Sequence, residues 1–390
     1  MKPWQRRQGS WGEKFFASPL SREPAIGRVR GCGGHRRRLW RGRAFERSRF
    51  QHRVDATGNQ NENYRPCGGD VSQPVADIGP GILLIDKPDG ITSAGVVNRV
   101  KRALKALKVG HAGTLDPFAT GLLICCIDHA TRLARFFLET DKIYRATLHL
   151  GVETDTGDST GRVEAKNFSP PLSEFSGGMI SEERICSAFQ QFVGKISQVP
   201  PAFSALKHQG IPLYRWARRG KTIQKPPRIV TIHRLTVLDI DFPRVRFEVS
   251  CSSGTYIRSL GTDVGRALGC GGHLSQLRRI QSGRFHVDEA IPLGVLEETA
   301  AIGRLRERII PMASALKGWP ELAVGDTVAE KVRYGRPISA DDIPTGCVGV
   351  PENDLTTCIK VIDEKGALLA LLHRNGKGGY GYCGVFGNQA

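Results

Sequence analysis

The amino-acid sequence predicts an α/β fold with a small β-rich domain at its C-terminal end. Three observations predict it. Clean two-residue alternation at 144–150 and 244–250 marks strands. Apolar residues at a 3.6-residue period mark helices at 92–108, 182–193 and 257–268. Beyond Pro311 the helical period gives way to short strand-like runs and turns. A chain of 390 residues, 40% of them hydrophobic, is long enough for two cores.

Residues 1–78 include RGCGGHRRRLWRGRAFERSRF and sustain neither apolar period, so disorder is expected there. Three readings of this segment stay open. It can be a basic RNA-binding arm, an Arg-rich organelle transit peptide, or the product of a misassigned start codon. The last is favoured, because no Met occurs between Met1 and Met179 and the segment shows no amphipathic face. Order begins near Gly81, where GILLIDKPDG reads as an apolar strand ending in a Pro-Asp-Gly turn. Thr92 or Ser93 can cap the next helix. Its apolar side is Val96, Val97, Val100, Leu104 and Leu107; its basic side is Arg99, Lys101, Arg102, Lys105 and Lys108. A charged helix face is most often simply solvated, but this one directly precedes the loop that carries Asp116.

Tyr144 opens the apolar side of the 144–150 strand, with Ala146, Leu148 and Leu150. The stretch TDTGDSTGR (154–162) is a polar loop. A helix near 182–193 offers Ile185, Phe189, Phe192 and Val193, and the segment at 197–221 mixes prolines, aromatics and basic residues. Val245, Phe247 and Val249 share one side of the next strand. Ile257, Leu260, Val264 and Leu268 then fall on one helical face, which puts Tyr256 and Arg258 at the strand-to-helix turn. Residues 79–310 are expected to form one domain and 315–390 a second, β-rich one. No internal repeat is evident.

The net charge is +18. Residues 1–70 hold 16 Lys and Arg against 6 Asp and Glu, so more than half of the excess lies in the tail. The remainder still favours a polyanionic partner, nucleic acid being the commonest. None of the ten cysteines forms a C-x-x-C pair, and no Cys/His grouping has zinc spacing, so no metal is expected. Adjacent Cys125 and Cys126 read as small core residues. Free thiols point to a reducing cytoplasm, and no apolar stretch reaches the length of a membrane span.

Residues 109–124 read VGHAGTLDPFATGLLI. Asp116 lies there in a loop marked by Gly, Thr and Pro, a place suited to a nucleophile or a base. An Asp-Pro taken alone is a common turn element. The segment GHAGTLDPFATGLLICCI, however, closely resembles the catalytic motif of the TruB-type tRNA pseudouridine synthases. Four more segments match that family in order: LLIDKPDGITS (83–93), DKIYRATLHLGVETDTGD (141–158), PPAFSALKHQGIPLYRWARRG (200–220) and CSSGTYIRSLGTDVGRALGCGGHLSQLRR (251–279). The resemblance covers about residues 80–310 well, 311–390 more loosely, and does not reach 1–78.

The resemblance implies a mixed, mostly antiparallel sheet flanked by helices, the pseudouridine synthase fold. It implies isomerisation of uridine-55 in the TΨC loop of tRNA, without cofactor or metal. Asp116 is then the nucleophile, and Arg258 its partner. Burial beside a nucleobase would push a carboxylate toward its neutral form, and a guanidinium opposes that. Tyr144 matches the base-contacting tyrosine, whose hydroxyl can also help move the C5 proton. His111 matches the loop histidine that fills the space of the flipped nucleotide. Tyr256 and Leu277 match residues lining the uracil pocket. Lys87 matches a basic residue near the site, with ordering of the loop and contact to phosphate both open. Lys207, Arg215, Arg218, Arg219 and Lys221 lie in a segment that resembles the family's mobile element over the T-arm, where they can meet phosphates. Phe203, Tyr214 and Trp216 can stack on loop bases or simply pack. The C-terminal region resembles RNA-holding PUA-type modules by position. A monomer that engages tRNA and no membrane is expected.

Two rivals remain. A related enzyme modifies ribosomal RNA under a guide RNA; TLDP and ATRL also occur in such relatives, whereas the 197–221 segment and the TDTGD loop favour the stand-alone enzyme. An RNA chaperone refolds tRNA without chemistry, against which the set Asp116, Tyr144 and Arg258 argues.

Overall fold

The structure, a computed structural model, describes residues 79–164, 180–339, 342, 358–374 and 379–387. The readings of residues 1–78 lie outside this range. The main sheet takes its long strands from β1 (Gly81–Lys87), β3 (Thr120–Ile127), β4 (Lys142–Leu150), β8 (Arg228–Asp241), β9 (Arg244–Cys251) and β10 (Gly272–Ser282), with β5 (Gly194–Gln198) at one edge. Short strands β2 (Val109–His111), β11 (Phe285–His286), β12 (Ile291–Pro292) and β13 (Ile310–Pro311) join them. A hairpin of β6 (Lys207–His208) and β7 (Ile211–Pro212) stands apart. The last sheet holds β14 (Glu321–Ala323), β15 (Ile359–Ile362), β16 (Leu368–Arg374) and β17 (Tyr380–Val385).

The main sheet runs β12-β1-β3-β10-β4-β9-β8-β5. Only β12 with β1 and β3 with β10 are parallel; every other pair is antiparallel. The expected mixed, mostly antiparallel sheet is therefore present. Besides the short helices α2 (Ala134–Leu138) and α4 (Leu213–Ala217), helices α3 (Glu182–Gln190) and α5 (Ile257–Ala267) cover β4, β8, β9 and β10 through Ile185, Phe189, Leu260 and Val264 against Leu148, Phe247 and Val249.

Strands β1 and β3 are buried on both faces, which is why ILLI and LLICCI are continuous apolar runs rather than alternating ones. On one face, Leu83, Ile85, Leu123 and Cys125 meet Val96, Val100 and Leu104 of helix α1 (Ser93–Leu104). On the other, Ile82, Leu84, Leu122, Ile124 and Cys126 share a core with Met312, Leu316, Leu368, Leu371 and Phe386. Each such fully buried aliphatic side chain contributes about 1.5–3 kcal/mol.

Two local expectations fail. Helix α1 stops at Leu104 because Lys105 turns into the left-handed region (φ +50°), so Leu107 is 87% exposed instead of extending the apolar face. The stretch after Val324 is not all strand: Asp326–Arg333 is a helix, with Ala329 and Val332 buried against the last sheet. No helix among the described residues is long and apolar enough to cross a membrane.

Candidate active site

Asp116 lies on the loop between β2 and β3, and three neighbours hold that loop from below. Thr92 is the helix cap, its Oγ1 accepting from the Gly95 amide at 3.0 Å. That leaves Ser93, the other capping candidate, free for a different contact. Its hydroxyl accepts from the Leu115 amide at 2.8 Å and donates to the Leu115 carbonyl at 3.0 Å. Lys87 is fully buried and donates to the carbonyls of Pro88 (2.8 Å), Pro117 (3.0 Å) and Ala119 (2.5 Å). Burial pulls the Lys87 ammonium down to about 8, against the opposing pull of Asp89 and Asp116. Of the two roles left open for Lys87, its contacts are those of a residue that orders the loop. The third neighbour is Arg279, which donates to the Gly113 carbonyl at 3.0 Å and to the Leu122 carbonyl at 2.7 Å.

Above this floor, Arg258 meets Asp116 from 142 residues away in the chain. Its Nε reaches Oδ2 at 2.8 Å and its Nη2 reaches Oδ1 at 3.3 Å, a two-pronged pair of fixed orientation. Arg258 is 3% exposed and Asp116 33%, so the arginine is locked and the carboxylate faces outward. The guanidinium also donates to the carbonyls of Thr156 (2.5 Å) and Phe203 (2.7 Å) and lies 3.6 Å from buried Asp158. Asp158 is itself held by Thr156 and Thr160. One arginine thus joins the Asp116 loop, the TDTGD loop and the start of the 200–221 segment.

Tyr144 is half-buried on β4, packed against the core that contains Leu115, Ala119 and Leu277. Burial pushes its phenol up, and the nearby charge of Arg279 pulls against that. His111 ends β2; its Nδ1 is buried without a hydrogen-bond partner among the described residues, and burial together with Arg279 pushes the ring toward its neutral form. Tyr256 sits at the N-cap of α5, two residues before Arg258, with its ring under the Arg228 guanidinium. A cleft of about 890 Å³ opens beside the loop, lined by Gly90, Phe118, Thr120, Ala146, Leu277 and Arg278, among others. Leu277 lines this cleft; Asp116, His111, Tyr144 and Tyr256 do not.

Residues 101–257 match the family described as TruB family pseudouridylate synthase (N terminal domain), and residues 258–317 match the tRNA pseudouridylate synthase B C-terminal domain. The chain belongs to the TruB family. It is 43% identical over 263 residues to tRNA pseudouridine synthase B of Syntrophotalea carbinolica, covering 67% of this chain and 83% of that protein. It is 48% identical over 217 residues to the Bordetella avium protein of the same name, covering 56% and 86%. Among solved structures, a Cbf5-Nop10-Gar1 complex is similar with TM-score 0.60 and 27% identity, covering 80% of this chain and 87% of that one. An H/ACA RNP bound to a substrate RNA containing 2'-deoxyuridine has TM-score 0.59 and 26% identity, covering 79% and 86%. The pseudouridine synthase fold is therefore this TruB-family chain's fold.

Lys207, Arg215, Arg218, Arg219 and Lys221 are all exposed, and none forms an ion pair with a described residue. On the basic face of α1, by contrast, Arg99 is taken: it grips Glu297 at 2.8 and 2.7 Å. Three residues central to the site escaped sequence reasoning. Ser93 looked like a cap, Asp158 like one more polar residue of a loop, and Arg279 like the end of a basic pair.

Proposed function

We propose that this chain isomerises uridine-55 in the TΨC loop of tRNA to pseudouridine, with Asp116 as the nucleophile. The observation that carries this reading is the two-pronged Arg258–Asp116 pair, in which a buried arginine aims a half-open carboxylate. The reaction breaks the N1 glycosidic bond, turns the base and joins C5 to the sugar; the C5 proton is lost and N1 gains one. Asp116 attacks, and Arg258 fixes its orientation throughout. Tyr144 supplies the surface for the extruded base, and its phenol, protonated at neutral pH, can relay the C5 proton. The orphan Nδ1 of His111 is a ready contact for the nucleotide that must leave the stack.

Exposed Lys207, Arg215, Arg218, Arg219 and Lys221 meet phosphates of the T-arm. Because Phe203 is pinned to Arg258, docking of the 200–221 segment bears on the aim of Asp116. Residues 315–390 act as a PUA-like RNA-holding module, and the enzyme works as a cytoplasmic monomer.

The identities of 42–48% to proteins named tRNA pseudouridine synthase B, against 26–27% to the H/ACA-type structures, favour the stand-alone tRNA enzyme over a guide-dependent one. The test is purified protein on unmodified tRNA, read by carbodiimide-stop sequencing. Pseudouridine at position 55 is expected with the natural chain and not with Asp116→Asn, while tRNA binding stays within about threefold. Modification elsewhere, or by the variant, would sink the assignment.

A further inference from the structure

Arg279 is a charged residue where the fold has no room for one. It is 1% exposed and tops the fully buried side chains in volume. A buried guanidinium normally has a carboxylate opposite it. Here no carboxylate of a described residue lies within 4.0 Å, and the donors go instead to the carbonyls of Leu122 and Gly113. Its charge bears on Lys87, Lys142 and His111, disfavouring the charged form of each. Such a group is costly, and a solvent-facing position would relieve the cost.

The surroundings are shaped to keep it. At Gly113 (φ +103°) a Cβ would stand 3.2 Å from the guanidinium, and at Gly121 (φ +98°) it would stand 2.3 Å from the Arg279 carbonyl. Gly113 makes room for the arginine side chain at the start of the Asp116 loop, while Gly121, just past it in β3, makes room for the backbone of β10 at residue 279. From the other side, β10 places Arg279 directly across from Tyr144 of β4 in the strand register. The Arg279 charge also bears on the Tyr144 hydroxyl, pulling against the upward push of burial.

We propose that Arg279 is a positioning residue for the isomerisation: it clamps the Gly113 end of the Asp116 loop and orients the Tyr144 hydroxyl. The inference rests on the reading of the site given above. A planar fork can meet both demands at once, since one edge takes the backbone carbonyls and leaves the other N–H groups for the phenol across the strand pair. A lysine would keep the charge and lose the fork.

The test is a double-mutant cycle of Arg279→Met with Tyr144→Phe, measured as single-turnover pseudouridine formation on full-length tRNA, with tRNA affinity measured separately. In the natural background Arg279→Met slows the single-turnover rate by about 100-fold and changes affinity by less than about threefold. In the Tyr144→Phe background the same change slows it by less than about tenfold, because the hydroxyl it orients is already gone. Equal slowing in both backgrounds would overturn the proposal in favour of a purely structural arginine, and so would no slowing in either. Arg279→Lys serves where Arg279→Met fails to fold, and is expected to show the same non-additivity with a smaller loss. If the natural chain itself forms no pseudouridine, the reading of the site fails; if it does and the cycle is additive, only this inference fails.

Discussion

The loop at 112–119 and the segment at 200–221 are built on opposite plans. Around Asp116, neighbouring backbone groups are spoken for: Ser93 takes both polar atoms of Leu115, Lys87 takes Pro117 and Ala119, and Arg279 takes Gly113. Across 207–221 the basic side chains are exposed and free of carboxylate partners among the described residues. A two-stranded hairpin and one short helix (Leu213–Ala217) hold that segment. The difference teaches where rigidity matters. In the proposed reaction the nucleophile must be aimed, and these buried groups remove the loop's freedom beforehand. In the proposed tRNA contact the cations must follow a flexible polyanion, which suits long solvated stems.

The comparison breaks most sharply if Arg258→Lys is tolerated. Lysine keeps a charge but cannot span both Asp116 oxygens, so single-turnover rate is expected to fall by about 100-fold with tRNA affinity nearly unchanged. A comparable loss of affinity would mean that the pair belongs to binding. A smaller effect tests the clamp from Lys87. Its folded-state pKa of about 8 lies below the ordinary 10.5, so the native state releases this proton first as pH rises. The cost of burying the charge is fully present below about pH 8 and fades toward 10.5, so this group makes the fold gain stability over that window. The clamp itself weakens over the same window. A pH–rate profile at saturating tRNA should therefore fall on its alkaline side from about pH 8, while thermal melts do not fall with it on account of Lys87. A rate that stays flat to pH 10 would remove Lys87 from the account.

Smaller still, Ser93→Ala leaves the Leu115 amide and carbonyl without their buried partner. It is expected to cost about 1–3 kcal/mol in chemical denaturation, together with a few-fold loss of rate. The mildest change is Arg218→Ala with Arg219→Ala. Affinity should drop a few-fold near physiological salt and the salt slope should flatten by up to about 1 per lost contact, with single-turnover rate intact once tRNA saturates. A rate loss that saturation does not repair would show that the segment also aims the nucleophile through Phe203.

What could be read in advance follows the same division. The strands at 144–150 and 244–250, the α5 periodicity and the Asp116–Arg258 partnership were legible, the first three from local pattern and the last from the family resemblance. Leu107 misled because apolar period continues on paper past the point where Lys105 turns the backbone. The helix Asp326–Arg333 was missed because eight residues bracketed by Gly325 and Gly335 carry little more than two turns of period. Ser93 could not be separated from Thr92, since the same hydroxyl chemistry caps a helix or clamps a loop. Arg279 stayed hidden because adjacent arginines look alike in one dimension. Only the register shows Arg278 reaching out to Asp86 at 3.0 and 2.7 Å while its neighbour turns in toward Tyr144.

The shared core beneath β1 and β3 has a consequence for how the protein is made. Ile82, Leu84, Leu122 and Ile124 are synthesised early, yet Leu368, Leu371 and Phe386, which cover them, come last. At the usual pace of translation this leaves an apolar sheet face without part of its cover for on the order of tens of seconds. The nascent chain thus carries a sticky surface while it is still on the ribosome, and a stop codon near residue 315 would make that exposure permanent. Of the described residues in this core, those of the final strands are made last.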